Sequence, residues 1–249
     1  MSKTALIISA SSDIASATAR LLAEKKYSIT LTSRNTQSCA ELAKEITNIS
    51  SNICLTMSLD VRNVTSFDDF FLNLKDTPEL VLFCAGKMES DELISSKNRG
   101  YFSQEIKDIV DTNFTGPIIF LSKLKDYLVK KDKKASIIIL SSVAGDRGRS
   151  KNPFYGSSKA GLSSFSSSIR QELGKSKISV ITIKPGFVRT KMTKNLKLPK
   201  FITSSPEQIA KIIYLAHKKK KNIVYSKFWF LIMLVVKSIP EFIFKKLNF

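Results

Sequence analysis

Short apolar runs alternate with longer amphipathic stretches along the whole chain. Residues 4–9, 28–32, 53–58, 80–84, 136–140, 179–183 and 222–225 are short apolar runs, several of them nearly continuous in Ile, Leu and Val. Such runs read as strands buried on both faces, because a sheet with one solvated face would alternate apolar with polar positions. Residues 13–25, 37–47, 64–74, 101–113 (interrupted), 117–131, 155–174 and 206–218 read as helices. Strands and helices in strict alternation predict an α/β fold, a single doubly wound domain with a parallel sheet rather than two domains.

Composition narrows this picture. A chain of 249 residues that is 43% hydrophobic and 24% charged supports a sizeable core and excludes a disordered or fibrous protein. The net charge of +19 excludes an acidic, cation-binding chain. Most of that excess lies late, since residues 184–249 hold 15 Lys and Arg against two acidic residues. Such a cluster is either a solvated lysine-rich surface or the footprint of an anionic partner. No basic stripe interleaved with aromatics occurs in the body of the domain, which argues against nucleic acid. Three scattered cysteines, no CxxC pair and a single histidine, His217, provide neither a disulfide framework nor a zinc set, so no metal is expected. The apolar run at residues 5–8 is too short for a signal peptide, and the expected location is a reducing cytoplasm.

The chemistry concentrates around residues 142–159. Tyr155 and Lys159 stand four apart at the start of the helix read at 155–174, on one face, with Cβ atoms about 5–6 Å apart. An ammonium one turn away favours the phenolate, which predicts a lowered tyrosine pKa and a usable proton donor. Ser142 follows the strand read at 136–140, at the sheet edge where such folds bind ligands, in position to hold a carbonyl beside the tyrosine. The first strand runs through Ser9-Ala10-Ser11-Ser12-Asp13-Ile14 into a helix, and a tight strand-to-helix turn presents backbone amides to a phosphate. Ser12 or Asp13 is placed to cap that helix.

These motifs, in order, resemble the short-chain dehydrogenase/reductase family over residues 4 to about 226. The matching blocks are residues 9–15, Ser33-Arg34-Asn35, Leu59-Asp60-Val61, Cys84-Ala85-Gly86, Asp111-Thr112-Asn113, residues 141–145, residues 155–159 and residues 185–190. The resemblance implies a Rossmann-like sheet of order 3-2-1-4-5-6-7 and hydride transfer to or from a nicotinamide. By position it implies Tyr155 as general acid/base, Ser142 as the group that orients the carbonyl, and Lys159 as the cation that tunes Tyr155 and binds the nicotinamide ribose. Asn113 would hold a water linking Lys159 to solvent. Ser9, Ser11, Ser12, Asp13 and Ile14 would face the diphosphate, Asp60 and Val61 the adenine, and Ala85 and Gly86 the dinucleotide. Val188 and Thr190 would contact the nicotinamide amide or the pyrophosphate, and Pro185 and Gly186 would also bind the cofactor. The family's glycine pattern departs here, with Ser9, Asp13 and Ala15 at its three glycine positions. Glycine permits φ > 0 and close approach of backbone to phosphate, so Ser9 and Asp13 put the tightness of cofactor binding in question.

Arg34 stands where an NAD enzyme offers a carboxylate to the ribose 2′-hydroxyl, which favours NADPH over NADH. Residues 142–149, together with the aromatic and basic end at 228–245, are similar to the reductase components of decaprenylphosphoryl-ribose 2-epimerases and their bacterial relatives. That similarity implies reduction of a 2-keto sugar on a polyprenyl phosphate, a partner oxidase, and a place in cell-envelope glycan synthesis. Arg147 and Arg149 then flank the site, either toward a substrate phosphate or in salt bridges with Asp146 or neighbouring acids. Residues 228–236 are nine apolar residues, short of the roughly 20 that a spanning helix needs. Residues 227–249 are therefore expected to lie on the inner face of the cytoplasmic membrane as an interfacial segment, or to fold over the protein's own core or a dimer interface, apart from a dinucleotide-binding domain at 1–226. A homo-oligomer is expected. The competing readings are a soluble reductase of a small or acyl-chain ketone, and a dinucleotide-binding regulator without catalysis.

Overall fold

A computed structural model describes residues 3–247. Seven strands form one parallel sheet: β1 (Lys3–Ile8), β2 (Tyr27–Ser33), β3 (Cys54–Ser58), β4 (Leu80–Phe83), β5 (Ala135–Leu140), β6 (Ile178–Lys184) and β7 (Ile223–Tyr225), in the order β3-β2-β1-β4-β5-β6-β7. The helices are α1 (Asp13–Glu24), α2 (Ala40–Ser50), α3 (Phe67–Leu72), α4 (Asp91–Ser95), α5 (Ser103–Val110), α6 (Gly116–Lys130), α7 (Pro153–Glu172), α8 (Pro206–Lys218), α9 (Trp229–Ser238) and α10 (Glu241–Phe244).

The unbroken apolar character of the strands has the expected cause. In β1, Ala5 and Ile7 pack into a core shared with Leu22, Leu42, Ile209 and Ile213 of α1, α2 and α8. Leu6 and Ile8 point the other way, into a core with Phe67, Phe120, Leu124 and Leu162 of α3, α6 and α7. Ile138 and Ile139 of β5 divide the same way, so both faces of the sheet are covered. The strand order reverses between β1 and β4, which opens a crevice at the carboxyl ends of the strands.

Three regions differ from the sequence-based expectation. The helices expected at 101–113 and 117–131 are joined, because residues 111–115 form a π-helical turn between α5 and α6. Pro117 has no N–H and would crowd the carbonyl four residues back, that of Asn113; widening the turn absorbs both defects without ending the helix. The helix expected at 37–47 starts as a 3-10 turn capped by Asn35, whose Oδ1 accepts from the Gln37 amide at 2.9 Å. Residues 227–247, for which no helix was expected, form α9 and α10, and Trp229 and Met233 pack in a small core with Val143. No helix among the described residues is long and apolar enough to cross a membrane. Residues 248–249, the end of the expected interfacial segment, lie outside the described residues.

Candidate active site

The crevice is a cavity of about 1010 Å³ lined from the ends of β1, β2, β4, β5 and β6 and from the loops that follow them. Every candidate cofactor residue named above lies on its wall, together with Ser142, Tyr155 and Lys159. Asn113 does not. It is fully buried in the π-turn, where Oδ1 accepts from the Lys87 amide at 3.0 Å and Nδ2 donates to the Lys87 carbonyl at 2.7 Å. Gly86 on the cavity wall lies close to it: a Cβ on that residue would stand 3.3 Å from Asn113 Oδ1 and 3.6 Å from Lys159 Nζ.

Lys159 is buried, and its Nζ donates to the carbonyls of Ala85 at 3.2 Å and Leu140 at 3.1 Å. Burial pushes the ammonium down to about 8. The same Nζ lies over the Tyr155 ring, 5.7 Å from its centroid. Ser142 lies two residues beyond β5 in an extended conformation, its Oγ accepting from the Ala144 amide at 3.1 Å. The Tyr155 phenol departs from the expected lowering. Burial raises it, Ser142 pulls it down, Glu89 raises it and Arg149 lowers it, and burial prevails. Lys159 is placed against the ring rather than paired with the hydroxyl, so it does not acidify the phenol in this arrangement.

The phosphate-facing turn resolves two of the glycine departures. Ser9 adopts φ 62, the left-handed conformation that glycine supplies at no steric cost. Bonds on either side hold it there, from the Ala10 amide to the Thr32 carbonyl at 2.8 Å and from the Ser12 amide to the Ser9 carbonyl at 3.0 Å. Ser9→Gly is expected to stabilise the fold by about 0.5–1 kcal/mol, since relief of about 1–2 kcal/mol of strain is partly offset by about 0.4–1 kcal/mol of added unfolded-chain entropy. Urea unfolding midpoints measure it. Ser12 occupies the N-cap of α1 but makes no side-chain cap bond. Asp13 does not cap either: its Oδ2 accepts from the Lys191 amide at 2.6 Å, so the charge is turned onto the loop after β6. The first-turn amides of α1 therefore remain available to an anion, which fits a dinucleotide diphosphate.

At the far end, burial pushes the Asp60 carboxyl up, but Arg62 outweighs it with bonds at 2.9, 3.4 and 3.2 Å and holds it below the usual carboxylate range. Arg34 reaches the cavity, where its charge also acts on Asp60, and its side chain makes no salt bridge among the described residues. Arg149 and Lys151 are also on the wall, and neither pairs with a carboxylate among the described residues. Arg147 is not on the wall: it pairs with Glu241 at 2.6 Å and lies over the Phe244 ring at 4.2 Å. Asp146 goes to Lys184 and to the Tyr225 hydroxyl. Sequence reasoning missed Glu89, Arg62 and Trp229, whose partners are distant in sequence or unmarked by motif.

Comparison with known proteins agrees with this geometry. The family model for short chain dehydrogenases matches residues 3–200. The chain is 30% identical over 222 residues to carbonyl reductase family member 4 of Xenopus laevis, covering 86% of this chain and 90% of that protein. It is similar in fold to a short-chain dehydrogenase from Sphingobium yanoikuyae in complex with NADPH, with a TM-score of 0.80 at 18% identity over 96% and 97% of the two chains. It is also similar in fold to 3-oxoacyl-[acyl-carrier protein] reductase from Brucella melitensis in complex with NAD, with a TM-score of 0.78 at 19% identity over 90% and 95%. The crevice, the Ser142–Tyr155–Lys159 cluster on its wall and the family match lead to one conclusion: the chain belongs to the short-chain dehydrogenase/reductase family and is an NAD(P)-dependent oxidoreductase acting on alcohol and ketone groups.

Proposed function

We propose that this chain is an NADPH-dependent reductase of a ketone carried on a phosphorylated, lipid-linked sugar, a 2-keto sugar on a polyprenyl phosphate. A bound nicotinamide dinucleotide supplies the hydride. Tyr155 donates the proton to the ketone oxygen, and its raised pKa keeps it protonated for that task. Ser142 holds the same oxygen. Lys159, anchored between the Ala85 and Leu140 carbonyls, orients the ribose and returns a proton toward Tyr155. Asn113 supports that relay from behind Gly86. Arg34, which forms no salt bridge among the described residues, favours the 2′-phosphate of NADPH.

The observation that carries the substrate reading is the pair of cations, Arg149 and Lys151, on the cavity wall with Tyr155 and Ser142, neither in a salt bridge among the described residues. Burial lowers the pKa of the Arg149 guanidinium, and no carboxylate pairs with it among the described residues; a substrate phosphate would supply an anion. The lipid part is supported by the exposed face of α9 and α10. Phe230, Leu231, Leu234, Val235, Phe242 and Ile243 all lie open there, beside Lys227, Lys237, Lys245 and Lys246. That combination suits the headgroup boundary of an anionic lipid surface on the cytoplasmic side. A partner oxidase belongs to this reading, because a 2-keto sugar must first be made from its alcohol; so does a homo-oligomeric assembly of the reductase.

A second reading is favoured by the relatives themselves, named as carbonyl and 3-oxoacyl reductases: a soluble reductase of small or acyl-chain ketones. One substrate panel decides. NADPH oxidation is followed with a polyprenylphosphoryl 2-keto-pentose in anionic phospholipid vesicles, the unphosphorylated keto-pentose, a small diketone and a 3-oxoacyl thioester. The phosphorylated substrate is expected to have a kcat/KM about 10–100-fold above its unphosphorylated counterpart, the worth of one charged hydrogen-bonded contact. Arg149→Ala is expected to erase most of that advantage, and the protein to sediment with the vesicles. Preference for the thioester or diketone, unaltered in the Arg149 variant, selects the second reading.

A further inference from the structure

Helix α7 carries both Tyr155 and Lys159, yet nothing local caps it. Asn152 occupies its N-cap without a side-chain cap bond, and Pro153 has no N–H to satisfy. The Gly156 amide bonds back to the Asn152 carbonyl at 2.9 Å, which leaves the amides of Phe154 and Tyr155 as the orphan donors of the first turn. One atom takes both. Glu89 Oε1 accepts from the Phe154 amide at 2.9 Å and from the Tyr155 amide at 2.9 Å.

Glu89 comes from the segment after β4, more than sixty residues earlier, and is 7% exposed. It makes no ion pair among the described residues, and its Oε2 is buried without a hydrogen-bond partner. A buried carboxylate in that condition is costly unless something nearby compensates its charge. Here the compensation is the positive end of a 20-residue helix and two charge-assisted hydrogen bonds. The segment itself is fixed on both sides of Glu89. Asn113 brackets Lys87, bonding its amide and its carbonyl. Glu105 brackets Ser90, accepting from its amide at 2.7 Å and its hydroxyl at 2.9 Å.

We propose that Glu89 is a positioning residue: a remote N-cap that fixes the first turn of α7 and thereby holds Tyr155 in register with Ser142. Asn113 and Tyr155 are then tied together through the three residues Lys87–Glu89, with no direct contact between them. The catalytic part of this inference rests on Tyr155 being the proton donor; the capping part does not.

The test separates the two. Amide hydrogen exchange and steady-state kinetics are measured on the full chain, using the ketone turned over fastest in the panel above. Glu89→Ala is expected to speed exchange at the Phe154 and Tyr155 amides at least tenfold and to lower kcat about 10–100-fold, the scale of a misplaced reacting group. KM and NADPH affinity are expected to stay within about threefold, because Lys159 keeps its own bonds to the Ala85 and Leu140 carbonyls and the turn after β1 lies on another element. Glu89→Gln keeps an oxygen that accepts both amides and is expected to restore kcat to within about threefold. Should Glu89→Ala fail to fold, Glu89→Met and Glu89→Gln make the same comparison at nearly constant shape, with methionine removing the acceptor. Unchanged amide exchange without the acceptor overturns the capping; unchanged kcat with loosened amides overturns the positioning. Retained turnover in Tyr155→Phe would instead remove the proton donor and leave the exchange result standing.

Discussion

Tyr155→Phe is expected to lower ketone reduction about 10²–10⁴-fold, the usual worth of a positioned general acid, while NADPH affinity stays within a few-fold. The substitution is narrow. Phenylalanine keeps a ring of the same shape under the Lys159 ammonium, 5.7 Å from the centroid, and removes only the hydroxyl. Lys159 retains its two carbonyl partners, neither of which involves the tyrosine, so the dinucleotide wall is untouched. Burial holds the phenol above its ordinary pKa, so in the reduction direction the donor carries its proton through the neutral range. The relay behind it is the more sensitive group. Lys159 sits at about 8, so it is charged below that pH and neutral above it, and reduction, which consumes a proton, is expected to slow as pH rises through that value. Steady-state turnover across pH, with fluorescence titration of NADPH, reads both effects. Undiminished turnover in the phenylalanine variant would take Tyr155 out of the chemistry.

How far the sequence could be read follows from the range of the forces involved. The strands of the sheet were legible because burial on both faces demands unbroken Ile, Leu and Val, a local signal. That Tyr155, Lys159 and Ser142 would share one cavity wall was legible because a spacing of four puts the first two on one helical face and Ser142 follows a strand. The conformation of the turn at Ser9 was not, because glycine's absence there put only the tightness of cofactor binding in question. The structure keeps the left-handed conformation with a serine, held by Thr32 of the neighbouring strand. Asp13 looked like a cap or a charge facing the diphosphate, and its real partner, Lys191, lies 178 residues away. Glu89 carried no signal at all, since its partners are two backbone amides that any residue would own. The sign of the Tyr155 shift was missed for a similar reason. Spacing showed a cation one turn away but could not show burial, and burial dominates.

Trp229→Ala is expected to cost about 3–5 kcal/mol, the range for emptying a large aromatic site, and to weaken dinucleotide binding as well. Trp229 is 5% exposed. Its indole lies against Gly186, so closely that a Cβ there would stand 1.9 Å from the ring. It meets Phe187 edge-on at 5.1 Å, and its Nε1–H donates to the Ile202 carbonyl at 3.0 Å. Gly186 and Phe187 form part of the cavity wall, so the indole backs that wall of the crevice from outside. Alanine would leave that wall facing a void and strip the Ile202 carbonyl of its donor. Phe230, one residue along on the same helix, is 56% exposed and provides the control: Phe230→Ala is expected to change stability by less than about 0.5 kcal/mol. Urea unfolding and NADPH titration of the two variants measure the contrast. If both unfold like the parent, α9 is an appendage whose apolar residues serve only an external surface. If only the tryptophan variant falls, one face of the same helix is a structural wall of the reductase, and the other remains free for a lipid surface.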